Sequence, residues 1–190
     1  MSQYQAAYDI FHRIGGRQNL ALLDQNMGEI CQYKGRLSGA LDLYRKALAE
    51  FRAVGDLRCQ AMVLFDMGSA YQANGDYMES MTHYERAAAI AEAVDDPYAR
   101  GLALFGIADV QRESGEPYDA IRDYEHAARI AGEIESCYLK AKALSGMGEA
   151  VLRTRGVEAA RIYWREAYDI FEQIGAYEAA EVHVRLQVFA

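Results

Sequence analysis

Side chains able to hold a metal or attack a bond are sparse and scattered in this 190-residue chain. The four histidines, His12, His83, His126 and His183, form no i, i+4 pair and no HExxH run, whereas a metal needs three or four converging ligands. His83 stands one turn after Glu79, which predicts a surface pair worth at most roughly 0.5 kcal/mol. The three cysteines, Cys31, Cys59 and Cys137, have no CxxC spacing, and an odd number of separated thiols suits free, buried cysteines in a reducing, cytoplasmic setting. Gly146-Met147-Gly148 opens like a dinucleotide loop, but the third glycine and the preceding strand are missing, so Gly148 is read as a packing glycine. An enzyme would need converging acid, base or metal groups that the sequence does not present. No catalysis, metal or cofactor is expected.

Composition narrows the partners. The formal net charge is −8, and an acidic surface repels phosphate, which argues against nucleic acid. No apolar run approaches the roughly 20 residues needed to cross a bilayer, and the first residues lack the basic start and apolar stretch of a signal peptide. With 52% apolar residues and only two prolines, one helical domain over 1–190 with a continuous core is expected.

The elements that would position any site repeat. Met27-Gly28, Met67-Gly68, Ile107-Ala108 and Met147-Gly148 recur every forty residues, as do Tyr4, Tyr44, Tyr84, Tyr124 and Trp164, and as do Ala7, Ala47, Ala127 and Ala167 with Ala87. Such self-similarity signals a solenoid. Apolar positions at helical spacing predict a half-repeat over 3–14 and four helix pairs over about 17–54, 57–94, 96–134 and 136–174. The third opens at Asp96-Pro97, an N-cap with proline in the first turn, and turns at Gly115-Glu116-Pro117. A terminal helix over 177–189 would lay Ala179, Val182 and Leu186 on the fourth pair. The aromatic column is read as core packing.

Gly68, Tyr71, Gly75, Tyr84 and Ala87 within one unit make a pattern that resembles the tetratricopeptide repeat. The forty-residue period is similar to that family's longer subclass. Leu64, Leu104 and Leu144 stand where tryptophan is common, and the proline that usually closes the second helix is absent. The resemblance covers essentially the whole chain. It implies an all-α, right-handed superhelical solenoid of antiparallel pairs, helix A and helix B, with the A helices lining a concave groove.

Carried over position by position, the family's groove positions fall on Leu22, Gln25, Glu29, Gln32 and Tyr33, then on Met62, Phe65, Ser69 and Gln72. They continue on Leu102, Phe105, Asp109, Arg112 and Glu113, and on Lys142, Ser145, Glu149 and Arg153. Met62, Phe65, Leu102 and Phe105 are expected as an exposed apolar patch, and Glu29, Asp109 and Glu149 as an acidic stripe. The resemblance implies a protein–protein interaction module whose groove takes a peptide or helix with apolar anchors and basic flanks. The lysine and asparagine set with which some family members clamp a C-terminal carboxylate is missing, and Glu29 and Asp109 would repel that group.

The ending AYDIFEQIGAYEAAEVHVRLQ resembles the repeat arrays of bacterial signalling ATPases and transcription regulators, so the chain is read as a scaffold or sensor arm, and as a fragment of a larger regulator. Two alternatives stay open. One is a module that self-assembles as a homo-oligomer through its open half-repeat ends. The other is a receptor for a small molecule or peptide signal.

Overall fold

The computed structural model describes residues 16–189, so the expected helix over 3–14 lies outside the described residues. Among the described residues are nine α-helices and no strand. They are α1 (Arg17–Tyr33), α2 (Leu37–Val54), α3 (Leu57–Ala73), α4 (Tyr77–Ala93), α5 (Pro97–Ser114), α6 (Pro117–Glu133), α7 (Cys137–Arg155), α8 (Val157–Gln173) and α9 (Glu178–Val188). The chain forms two compact units, Met1–Asp95 and Asp96–Ala190. The first holds the pairs α1/α2 and α3/α4. The second holds α5/α6 and α7/α8, with α9 against α8.

Helix starts follow local chemistry. Asp56 accepts the Cys59 N–H at 3.0 Å ahead of α3, and Asp96 accepts the Ala99 N–H at 3.0 Å ahead of Pro97 in α5. Each cap satisfies a donor that the helix itself cannot reach.

Three of the four pairs close where an A helix gives up its side chain to a B-helix ring. A Cβ built on Gly28 would stand 2.4 Å from Cε1 of Tyr44, one on Gly68 2.7 Å from Tyr84, and one on Gly148 2.4 Å from Nε1 of Trp164. The first glycine of Gly146-Met147-Gly148 serves the same purpose, since its Cβ would meet Tyr124 at 2.5 Å. That stretch is therefore packing surface for two neighbouring rings. The rings are essentially fully buried: Tyr44, Tyr84, Tyr124 and Trp164 are at most 2% exposed. In α9 only Val182 is fully buried, at 1%, while Ala179 and Leu186 are partly covered.

Several expectations are corrected. None of the three cysteines is fully buried: Cys31 and Cys59 are partly covered and Cys137, the first residue of α7, is exposed. His83 is 8% exposed and makes no pair with the Glu79 carboxylate. Its Nδ1 lies 2.8 Å from the Glu79 main-chain carbonyl, and its ring lies 5.1 Å from that of Tyr71. A carbonyl only accepts, so Nδ1 carries the proton. Among the described residues no helix is long and apolar enough to cross a membrane.

Candidate functional site

The positions carried over from the family lie on α1, α3, α5 and α7. In the first unit these helices are α1 and α3. Gln25 is buried and donates through Nε2 to the Asp66 carboxylate at 2.7 Å. Gln32 donates to the Ser69 hydroxyl at 2.9 Å and accepts from the Tyr44 hydroxyl at 3.0 Å. Gln72 accepts from the Tyr84 hydroxyl at 3.0 Å. Tyr33 is 93% exposed and Leu22 is also open. Met62 and Phe65 are partly exposed, and the Phe65 ring rests 5.3 Å from that of Tyr84.

Asp66 was not among the expected site residues, yet it dominates the chemistry of this face. Burial pushes its carboxyl up to about 7, against the Gln25 hydrogen bond and with help from the nearby charge of Glu29. Burial also raises Glu29. No ion pair to either acid occurs among the described residues.

In the second unit the corresponding residues form an ionic ladder across α5, α7 and α9. Arg112 reaches Asp109 at 3.3 Å, Glu113 at 3.1 Å and Glu149 at 3.1 Å. Arg185 takes the other oxygen of Glu149 at 2.9 Å and donates to Ser145 Oγ at 3.0 Å. The Tyr124 hydroxyl donates to Asp109 and accepts from Arg112 Nε at 3.1 Å. Arg153 donates to the Arg112 main-chain carbonyl at 2.9 Å.

Burial pushes the Asp109 carboxyl up, while the Tyr124 hydrogen bond and Arg112 pull it down. Burial also opposes the charge of Arg112. The surrounding Tyr124, Asp109 and Glu149 outweigh it and hold the guanidinium above its ordinary range. Asp109 and Glu149 are thus engaged within the fold rather than presented as an open acidic stripe.

The apolar patch needs the same correction. Phe105 is only 8% exposed because its ring lies 5.9 Å from that of Tyr124 and the Lys142 ammonium covers it at 4.7 Å. Leu102 packs partly against the same core. Phe105 is a floor rather than an exposed anchor. Above that floor opens a cleft of about 140 Å³. Phe105, Phe171 and Val182 supply its apolar lining, and Lys142, Glu178, Glu181 and Arg185 much of its charge. The last three of these charges belong to α9 and went unrecognised in the sequence, although Arg185 stands forty residues after Ser145 in the same column. Among the described residues no group of three or more histidine, cysteine, aspartate or glutamate side chains could hold a metal ion.

A sequence model of the tetratricopeptide repeat matches residues 59–133. No curated protein matches the chain in sequence. Among solved structures, BtubC (BKLC) from P. vanneervenii superposes with a TM-score of 0.83 at 14% identity, over 99% of this chain and 80% of that one. A Rap protein complexed with competence and sporulation factor gives 0.81 at 20% identity, over 90% of this chain and 48% of that one. Aspartyl phosphate phosphatase F from Bacillus subtilis gives 0.80 at 16% identity, over 88% and 44%. The chain spans about half the length of the latter two, and identities this low speak for the fold alone. The fold is the all-α solenoid class of antiparallel helix pairs, and its middle, residues 59–133, carries the sequence pattern of the tetratricopeptide repeat.

Proposed function

We propose that this chain is a non-catalytic interaction module that holds a peptide or a helix of another protein against the inner faces of its A helices, as a scaffold or as the sensor arm of a regulator. The observation that carries this reading is the cleft of the second unit. It has an aromatic and aliphatic floor, charged walls of both signs, and room for roughly ten water-sized spheres. That combination orients a side chain or chain end and buries it at the same time. In the first unit, Glu29 and Asp66 adjoin the carried-over positions with no ion pair to either among the described residues, so the basic flank of a partner is met there. The Rap structure was solved with competence and sporulation factor, which agrees with a signal-binding role for this fold.

Self-assembly through the ends meets an obstacle in α9. Val188 occupies the column of Gly28, Gly68, Ala108 and Gly148, where a B-helix ring approaches too closely for a larger side chain. A further B helix from a second copy would meet a branched side chain at the point of closest approach. Light scattering over a concentration series is expected to give a mass fixed at the monomer.

The test of the interaction reading is selection of peptides from a random library on the immobilised chain, repeated on Lys142→Trp, which fills the cleft from its rim. Both proteins must first show equal helical content by circular dichroism. Binders that lose affinity about tenfold or more with the variant support the cleft as the working surface. Equal retention by both proteins would remove it.

A further inference from the structure

The charges around the cleft do not balance internally, and the remainder has a chemical shape. Among the residues that line the cleft, Arg112 and Arg185 offset Asp109 and Glu149. Lys142 makes no ion pair among the described residues; its ammonium rests on the Phe105 ring, with the Tyr138 ring 5.8 Å away. Glu181 is exposed and has no hydrogen bond or ion pair there either. Glu178 accepts from the Tyr138 hydroxyl through one oxygen, while its Oε2 receives no donor. One cation and two carboxylates are left lining a space that holds about one amino-acid residue.

We propose that the cleft takes the free N-terminal residue of a peptide or protein partner. This rests on the interaction reading above and names the group that the site recognises. The α-ammonium faces Glu181, with Glu178 adding its field. The first carbonyl oxygen accepts from the Lys142 ammonium. The first side chain lies on Phe105, Phe171 and Val182.

Charge decides between this occupant and its rivals. A partner carboxylate would meet one cation and two acids. A free amino acid brings no net charge and leaves the excess of one negative charge in place. An ammonium followed by a neutral carbonyl cancels it while giving both Lys142 and the acids a partner. Charge-assisted hydrogen bonds of this kind, made in a partly desolvated site, are the strong ones.

The experiment uses the full chain and two synthetic libraries of random hexapeptides with amidated C-termini, one with free and one with acetylated N-termini. Binding is read by fluorescence polarisation on the native chain, Glu181→Gln and Lys142→Trp. The expected result is that acetylation weakens selected peptides about tenfold or more, and that Glu181→Gln weakens the free-amine peptides similarly while leaving residual binding of the acetylated forms unchanged. If acetylated peptides bind as well as free ones and still depend on Lys142, the N-terminal inference is overturned and the interaction reading survives. If no peptide of either library depends on Lys142, both are overturned. Lys142 and Glu181 lie on exposed or half-exposed helix positions, so both variants keep the fold.

Discussion

In the first unit the ring hydroxyls of Tyr44 and Tyr84 are met by Gln32 and Gln72; in the second, Tyr124 is met by Arg112. Those three partners share one column of the repeat, and the exchange of an amide for a guanidinium changes everything around it. Beside glutamine, Asp66 and Glu29 have no ion pair among the described residues, and the Asp66 carboxyl rises to about 7. Beside arginine, Asp109 and Glu149 are drawn into one ladder with Arg185. In the fourth pair the column holds Leu152, and the Trp164 indole N–H, facing no acceptor, is buried without a partner. One packing scheme therefore tolerates an amide, a cation or an alkyl group at the same point. What it sets is the charge state of the surface next to it.

The comparison breaks most visibly at Arg112. Arg112→Met leaves Asp109 and Glu149 short of a cation in a largely buried setting, and removing one member of such a network costs on the order of 3 kcal/mol. Gln72→Met at the equivalent place removes one neutral hydrogen bond to Tyr84 and is expected to cost about 1 kcal/mol. Urea midpoints of the two variants give the ratio. Equal losses would mean that the ladder contributes no more than a hydrogen bond.

Asp66 sharpens the comparison through pH. Its folded value is raised above that of an unfolded aspartate, about 3.9, so the protonated carboxyl is the form that the fold prefers. The stability this contributes is present at low pH and is lost as pH rises from about 4 through about 7. Asp66→Asn keeps an oxygen for Gln25 and removes the ionisation. It is expected to stabilise the protein by up to a few kcal/mol at pH 8, less at pH 5, and to flatten the profile between. A profile unchanged by the substitution would show that the acid is open to water in solution. The paired acids of the second unit predict a shallower slope for Asp109→Asn.

The fold was legible because the forty-residue period writes each packing contact several times over. Gly28 with Tyr44 and Gly148 with Trp164 are the same contact at two addresses, and a repeated small residue opposite a repeated ring can be read without coordinates. The site was less legible. Asp66 was passed over because its column holds Asn26, Gly106 and Gly146 elsewhere, so no repetition marks it. Phe105 was expected in the open because it falls on a groove position carried over from the family, beside Met62, Phe65 and Leu102. The burial comes from Lys142 folding over the ring, and spacing alone does not encode that reach.

Pairs that vary together were also hidden. Tyr71 meets the ring of His83, and Gln111, at the next copy of that column, instead donates to Asp123 at 2.9 Å. Each pair joins an A helix to its B helix, and it emerges only when two columns are compared across the antiparallel helices.

The smallest expected effect sits in the turns that join one pair to the next. The first unit places Gly55 there at φ 73°; the second places Glu135 at φ 56°. Both turns make the same bonds. Gly55 N–H donates to the Arg52 carbonyl at 3.2 Å and Asp56 N–H to Phe51 at 2.9 Å; Glu135 N–H donates to Gly132 at 3.2 Å and Ser136 N–H to Ala131 at 2.8 Å. A residue with a Cβ is strained in this left-handed region by about 1–2 kcal/mol, and glycine gives back part of that advantage through its freer unfolded chain. Glu135→Gly is therefore expected to stabilise the second unit by about 0.5–1 kcal/mol, and Gly55→Ala to destabilise the first by a similar amount. Denaturant midpoints measure both. A loss of stability in Glu135→Gly would mean that the glutamate side chain contributes a contact in solution large enough to outweigh its backbone strain, and the two turns would then be equivalent in shape but not in what holds them.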